Sequence, residues 1–514
     1  MQTKDGDPVR LLSVPTATAR NLSDVAVRDA VSYFAPDGVV LPGERDPRGH
    51  ATVRSAAPGV PTIHPQLGRN GDRTVRHRFG SGDADSVTSE APSAASIELL
   101  AVQSGEVLAD LPELAPATRP PSTSTPTSAD AATYLFVPEL SVAADTTALS
   151  ATLPHAEEIA TIVTAVPGEL VVLAGGQPTG YQHEWTLTDD SGEPTEVVVV
   201  GLGGTDAGEG RIARVACSAD GTVAAETVPS DAFGLRALDG VGPRIEDRLR
   251  ALGCRTLDDV RDTAVAELAG LDGLGRTRAE RLHAHADVIA SGEPLVLTNE
   301  TPVRTRVGQP PLCLDIETDG LTPTIIWQFG VYDPSTDTYR AFTERSDPND
   351  PVGVLGEFVE WLLGTHADRT LLTWNGSRFD YPQIERFLRR YYPEYVDPWD
   401  DVWTYDLYEW AVRDGNALLP GRTNRLDDVA RALGYEHAGT GLSGARTAAA
   451  YRRFMSAPDD PEAEPDWERH ERYCRDDCEA LWHVYESIES ADRRDVTDSG
   501  SGGAAGRQSG LTEF

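Results

Sequence analysis

Residues 311–321 read Pro-Leu-Cys-Leu-Asp-Ile-Glu-Thr-Asp-Gly-Leu. The short apolar run Leu312, Cys313, Leu314 reads as a buried strand. Side chains alternate along a strand, so Asp315 and Glu317 point to the same side. Two like charges at the end of an apolar strand are costly unless a cation neutralises them. Alone, the Asp-x-Glu pair also fits a solvated strand end or a turn. The sequence downstream supplies two more carboxylates in matching contexts.

After this strand, residues 325–333 (IIWQFGVYD) and 339–345 (YRAFTER) read as the next strands of an antiparallel meander. Residues 351–364 have the spacing of an amphipathic helix. Residues 369–376 (RTLLTWNG) form another strand, which ends at Asn375. In SRFDYPQIERFLRRYY, Asp380 opens a helix and Phe379 points to the core. The last element, HERYCRDDCEALWHVYESI, is a helix whose Tyr473 and Asp477 are four residues apart on one face.

Just upstream the chain repeats itself. FGLRALDGVGPRIEDRLRALG is followed 33 residues later by a second copy, VAELAGLDGLGRTRAERLHAH. Each has Leu-Asp-Gly-Val/Leu-Gly leading into a helix, which aligns Gly240 with Gly273 and Gly242 with Gly275. The pattern resembles tandem helix-hairpin-helix motifs, a sequence-independent DNA-binding unit. Gly-x-Gly permits positive φ and close approach, so N–H groups at a helix start can hold a phosphate. Arg244, Arg248, Arg276 and Arg278 lie on the opening turns, placed to approach the backbone. The same glycines also suit a helical scaffold in which they are only caps. Nine arginines against twelve acids in residues 231–293 weigh on that side.

Composition bounds the rest. The 514 residues suffice for about three domains. Asp and Glu number 82 against 45 Lys and Arg, for a net charge of −37, and Lys4 is the single lysine. Such an acidic, lysine-poor chain suggests adaptation to high salt, where self-repulsion is screened; coding bias with ordinary acidity is the alternative. Net charge does not exclude a nucleic-acid partner, because a basic patch can be local. Cys217, Cys254, Cys313, Cys474 and Cys478 have no zinc-finger spacing and read as core thiols in a reducing cytoplasm. No apolar run approaches a membrane span, and the N-terminus lacks a signal pattern.

Six regions are expected. Residues 1–80 are an N-terminal segment of uncertain role, with a short helix over 22–34 capped by Ser23 or Asp24. Residues 81–133 are a Ser/Thr/Pro-rich disordered linker, interrupted by the apolar island IELLAVQ. Residues 134–230 are a small α/β domain, in which GLGG at 201–204 is a tight turn and His155, His183 and Glu184 stand unanchored. Residues 231–293 are the hairpin domain, 311–490 the carboxylate domain, and 491–514 a Gly/Ser-rich tail.

The order Asp315-x-Glu317, Asn375-Gly-Ser-Arg-Phe379-Asp380, Tyr473-x-x-x-Asp477 resembles the exonuclease motifs of the DEDD superfamily, tyrosine branch. The histidine branch carries His five residues before the last Asp, where this chain has Arg472. Gln328-Phe-Gly, Asp406-Leu, Leu426-Asp-Asp-Val-Ala, Leu433-Gly and Ser443-Gly are similar to the YprB-like ribonuclease H-like group. The resemblance covers about 180 residues. It implies an α/β multidomain protein: a ribonuclease H-like mixed sheet with flanking helices at the C-terminus, the small all-α hairpin domain before it, and a small α/β domain N-terminal to that.

The implied function is a metal-dependent 3′→5′ exonuclease in repair or processing, acting on nucleic acid, with DNA favoured over RNA by the hairpins. RNA 3′-end trimming and an inactive DNA-binding adaptor are the alternatives. Two divalent cations about 4 Å apart would be the cofactors; hard carboxylate ligands favour Mg²⁺ or Mn²⁺. Asp315 would bridge them, with Glu317 and Asp477 on the water-activating site and Asp380 on the second. Tyr473, with a reference pKa near 10, is a poor general base and would orient the water. Asn375, Phe379, Arg386 and Arg389 are candidates for holding the substrate strand. Gly240, Gly242, Arg244, Gly273, Gly275 and Arg276 are candidates for the DNA backbone. A protein partner could engage the N-terminal region; the sequence does not specify an oligomeric state.

Overall fold

A computed structural model describes residues 8–64, 74–79, 97–110, 132–145, 150–166, 168–188, 192–204, 210–303, 308–348, 350–461 and 463–494. The chain divides into two compact units, Met1–Leu235 and Arg236–Phe514.

The first unit holds two main sheets. One runs in the order Val223–Pro229, Arg211–Cys217, Val9–Ser13, Gly38–Val40, Thr62–Ile63. The other runs Gln182–Thr188, Pro194–Gly201, Leu170–Ala174, Thr133–Val137, Ile97–Val102, Thr74–Phe79. Helix Asp24–Phe34 starts where expected, with the Ser23 side chain accepting from the Ala26 N–H.

Two boundaries differ from the sequence reading. The strand Val9–Ser13 pairs antiparallel with Arg211–Cys217, Leu11 opposite Val215, so the N-terminal segment and the 134–230 region share a sheet. The island in the expected linker is the strand Ile97–Val102, parallel to Thr133–Val137, with Leu99 and Ala101 fully buried. A six-residue run between low-complexity flanks carries little local signal, and only its long-range partners make it a core strand. The rest of that linker (81–96 and 111–131) and the tail from 495 lie outside the described residues.

The second unit begins with the repeat. Helices Pro243–Leu252, Leu257–Asp262, Val265–Ala269 and Arg276–Ser291 form it. Thr256 and Asp259 make a reciprocal capping box at the start of the second helix. Ala284 and Val288 on the last helix pack on Leu418 of the following domain. A small sheet, Ala417–Leu418, Leu295–Val296, Asp492–Arg493, joins the repeat's exit to the end of that domain.

The C-terminal domain is ribonuclease H-like, a five-stranded mixed sheet in the order Thr338–Thr343, Ile326–Asp333, Leu312–Thr318, Thr370–Thr373, Trp403–Asp406. The first three are antiparallel; the last two run parallel to Leu312–Thr318 and to each other. Leu312, Leu314 and Ile316 face a core completed by helices Gly353–Thr365 and Asp380–Tyr391. Cys313 faces the opposite core, built with Cys478, Leu481 and Val484 of the final helix, Trp467–Glu489. The alternation thus turns Asp315 and Glu317 to the face covered by that helix. Among the described residues, no helix is long and apolar enough to cross a membrane.

Candidate active site

The strand Leu312–Thr318 delivers the first two carboxylates. Glu317 is buried and Asp315 half-buried. One ligand atom from each, together with Cys474 Sγ, lies within 4.8 Å of the others. Burial pushes both carboxyl groups well above the usual range, and negative neighbours add to it: Asp477 and Asp380 for Asp315, and Asp315, Asp477 and Asp380 for Glu317.

Asp380 opens its helix and is buried. The backbone N–H of Ile316, between the two strand acids, lies near enough to its carboxylate to draw its pKa down in part. Burial, reinforced by Asp406, lifts it to about 7. Asp477 is also lifted to about 7 by burial, against the pull of the Tyr473 hydroxyl, which hydrogen-bonds to it one helical turn away. Burial first, and then Asp477, Glu317 and Asp315, push the Tyr473 phenol well above its ordinary value. The phenol is therefore a donor at neutral pH.

Asp315, Glu317, Asp380 and Asp477 are thus neighbours in one electrostatic cluster. Among the described residues none of them forms an ion pair with arginine. Hard oxygen donors crowded at low dielectric, without a protein cation, fit divalent ions.

Three residues to which the sequence reading gave no role in the site support it. Asp406, at the end of its strand, accepts from the N–H groups of Asn375 at 2.8 Å, Ser377 at 3.0 Å and Glu409 at 3.2 Å. It shapes the loop before Asp380; Asn375 adopts φ 65° there. Cys474, read as an inert core thiol, places Sγ 3.3 Å from Asp315 Oδ2. Burial keeps the thiol protonated, so it donates to the carboxylate from the core side. Gly330 stands opposite Asp315, and any Cβ there would strike Cys474 Sγ and the Tyr339 hydroxyl. The third, His437, is described below. One signal was available: of the adjacent acids Asp476 and Asp477, only one can face the cluster, so the other needs a partner.

The expected substrate residues are engaged locally. Phe379 packs against the core. Arg386 donates to the Pro323 carbonyl at 2.6 Å, and Arg389 pairs with Glu385 on its own helix.

In the repeat, Gly240 and Gly273 both adopt φ 78°, a left-handed turn that favours glycine. Gly242 and Gly275 are the extended N-cap residues of the following helices. Arg244 is exposed, and Arg276 pairs with Glu280 at 2.9 Å. The other two arginines are accessible but already engaged within the repeat. Arg278 donates to the carbonyls of Gly273 at 3.0 Å and Gly240 at 3.2 Å, and Arg248 reaches Asp272 at 2.9 Å. They bind the two hairpins to each other.

A family model described as the RNase H superfamily matches residues 312–489, and one described as a SAM-like helix-hairpin-helix tandem matches residues 234–287. No curated protein matches the chain. Among solved structures, the chain is similar to E. coli exonuclease I in complex with a dT13 oligonucleotide. The identity is 20% over 29% of this chain and 41% of that chain, with a TM-score of 0.20. The zinc ion bound form of the E. coli ExoI–ssDNA complex gives 18% identity over 30% and 41%, with a TM-score of 0.20. The chain therefore spans less than half the length of these structures, and likeness at this level concerns the fold alone.

Proposed function

We propose that the chain is a metal-dependent nuclease that removes nucleotides from the 3′ end of a nucleic acid, DNA in preference to RNA. The observation that carries this reading is the clustering of Asp315, Glu317, Asp380 and Asp477, all raised by burial, with the other acids of the cluster adding to it for Asp315 and Glu317, and with Tyr473 hydrogen-bonded to the last of them. The Tyr-x-x-x-Asp spacing, here a hydrogen-bonded pair, supports the tyrosine branch of the DEDD exonucleases. The 3′→5′ polarity rests on that resemblance. The preference for DNA rests on the hairpin repeat.

The four carboxylates would hold two divalent ions, Mg²⁺ or Mn²⁺. When bound, such ions neutralise phosphate charge, lower the pKa of water and stabilise the departing oxyanion. The chain's own groups do the remaining work. Asp315 and Glu317 are fixed by the strand, and the Cys474 thiol orients Asp315 from behind. Asp406 holds the loop that presents Asp380. Tyr473 cannot take a proton near neutrality, so it donates its hydroxyl and orients. Gly240, Gly242, Gly273, Gly275 and Arg244 would engage the phosphate backbone.

The test is a cleavage time course with Mg²⁺ or Mn²⁺ across a KCl series, because phosphate contacts weaken with salt. DNA and RNA of the same sequence carry a 5′ label, with a 3′-blocked control. A descending one-nucleotide ladder, absent with the blocked end, is expected, and stronger on DNA. Equal rates on both sugars would remove the DNA preference. Binding without cleavage would make the chain a nucleic-acid adaptor.

A further inference from the structure

Asp476 and Asp477 are adjacent on the final helix, about 100° apart around its axis. Asp477 faces the carboxylate cluster. Asp476 is turned away and is 9% exposed. There the loop following helix Leu426–Ala432 closes on it. The Ala438 N–H donates to Asp476 Oδ1 at 2.9 Å and the Tyr435 hydroxyl to the same atom at 3.1 Å. His437 Nδ1 stands 2.8 Å from Oδ2, and its Nε2 stands 3.1 Å from the carbonyl oxygen of Asp427.

A carbonyl only accepts, so Nε2 carries a proton. Asp476 takes the Ala438 N–H and the Tyr435 hydroxyl on Oδ1 and meets the ring through Oδ2, an acceptor, so Nδ1 carries one too. A neutral imidazole has a single N–H; imidazolium satisfies both contacts. The groups facing the ring are Asp476, Asp427, Arg431 and the edge of Tyr435, whose centroid is 5.0 Å away. Burial works against the charge and Arg431 opposes it, but the hydrogen bond and charge of Asp476 outweigh them, and the pKa of His437 is raised. Its charge also reaches Asp477, where it counters the effect of burial.

We infer that His437, as an imidazolium, is a positioning residue for the carboxylate cluster: it locks Asp476, fixes the rotation of the final helix, and so aims Tyr473 and Asp477 into the site. The inference rests on the nuclease reading of that cluster. A helix free to turn by a fraction of a residue would carry Asp477 away from Asp315 and Glu317, and the His437–Asp476 clasp prevents it. The loop residues act through the helix; none touches the reacting atoms.

The test uses the full chain, with Asp476→Asn and His437→Gln beside the wild type. Histidine ¹⁵N NMR reads the protonation of the ring, calorimetry reads Mn²⁺ affinity, and oligonucleotide cleavage reads kcat and KM separately. In the wild type both ring nitrogens are expected to be protonated at neutral pH, and Asp476→Asn is expected to strip one. His437→Gln is expected to weaken Mn²⁺ binding and kcat about 10- to 100-fold with KM unchanged, the range of residues that orient metal ligands. The Mn²⁺ comparison is made at a single pH of 8, where the carboxylates of the cluster are ionised, so that it reads geometry alone. A singly protonated ring in the wild type overturns the inference, whatever the variants do. So does a His437→Gln protein with unchanged Mn²⁺ affinity and kcat. If the wild type binds Mn²⁺ through His437-dependent geometry yet cleaves nothing, the nuclease reading fails and the clasp stands.

Discussion

The antiparallel strands Leu312–Thr318 and Ile326–Asp333 carry acids at both ends of their ladder, and the two ends are built on opposite plans. At one end, Asp333 receives both arms of Arg369, at 2.9 and 2.8 Å, and the same guanidinium donates to the Pro310 carbonyl at 2.8 Å. Burial would raise this carboxyl, but the fork of Arg369 and the Ser335 hydrogen bonds overcome it and hold it near 2. At the other end, Asp315 and Glu317 meet Asp380 and Asp477, and every shift is upward. The sheet is the same and the acids are the same. A buried acid with a built-in cation holds structure together; a group of buried acids without one stores repulsion that a ligand must relieve.

The sharpest way to break this contrast is Asp315→Ala. Cleavage should fall by about 10³-fold or more, since residues that act as one unit fail together. The metal-free protein should not lose stability at pH 8, and a rise in its melting temperature is expected. A variant that retains cleavage would place the chemistry elsewhere.

Arg369→Met is the mirror experiment. It leaves Asp333 buried without its cation, which should cost about 3–5 kcal/mol in urea unfolding, while cleavage by the folded fraction is unchanged. The pH dependence has a definite sign. Asp333 is depressed in the folded state, so its contribution is present above the unfolded value near 4 and is lost as pH falls through 2. That acid limb should disappear in the variant.

At the cluster the sign reverses. Asp380 and Asp477 titrate near 7 when folded and near 4 when unfolded. Between those values the unfolded chain has released protons that the folded chain still holds. Stability present below pH 4 is therefore lost as pH rises to 7 and stays lost above it. In EDTA, unfolding free energy should drop on the order of 1–4 kcal/mol from pH 5 to pH 8. Mn²⁺ should restore it at pH 8 and do little at pH 5. Asp380→Asn should flatten the slope, and a slope that survives it would assign the protons to other groups.

How far the sequence alone reveals this depends on the range of the interactions. Strand alternation at Asp315 and Glu317 and the one-turn spacing of Tyr473 and Asp477 are local, and the structure places all four side chains at one cluster. Helix Asp24–Phe34 likewise carries its own cap in Ser23. What was hidden depends on distant partners. Ile97–Val102 has no meaning as a strand until Thr133–Val137 lies beside it. Cys474 looks like any core thiol until Gly330 leaves room for it under Asp315. His437 sits in a glycine-rich loop with no periodicity, 39 residues from the acid it clasps.

The hairpin repeat offers the smallest and most discriminating prediction. Positions 33 apart are equivalent, so Asp239 matches Asp272 and Arg248 matches Arg281. The structure crosses them: Arg248 pairs with Asp272 at 2.9 Å, and Arg281 with Asp239 at 2.6 Å. Each copy lends its arginine to the other's hairpin, a reciprocity a single copy could not have. Both pairs are well exposed, so a double-mutant cycle on Arg248 and Asp272 should give only about 0.2–1 kcal/mol. Arg281 should cost more than Arg248 when replaced by Ala, because it also donates to the Gly415 carbonyl at 3.0 Å. The two kinds of arginine then separate in nucleic-acid binding. Arg244→Ala, at an exposed helix start, should lower the salt dependence of binding by about one counterion. Arg248→Ala should leave that slope unchanged, since its guanidinium is already committed to Asp272. Equal effects of the two would mean that the brace opens when nucleic acid binds, and that Arg248 exchanges a carboxylate for a phosphate.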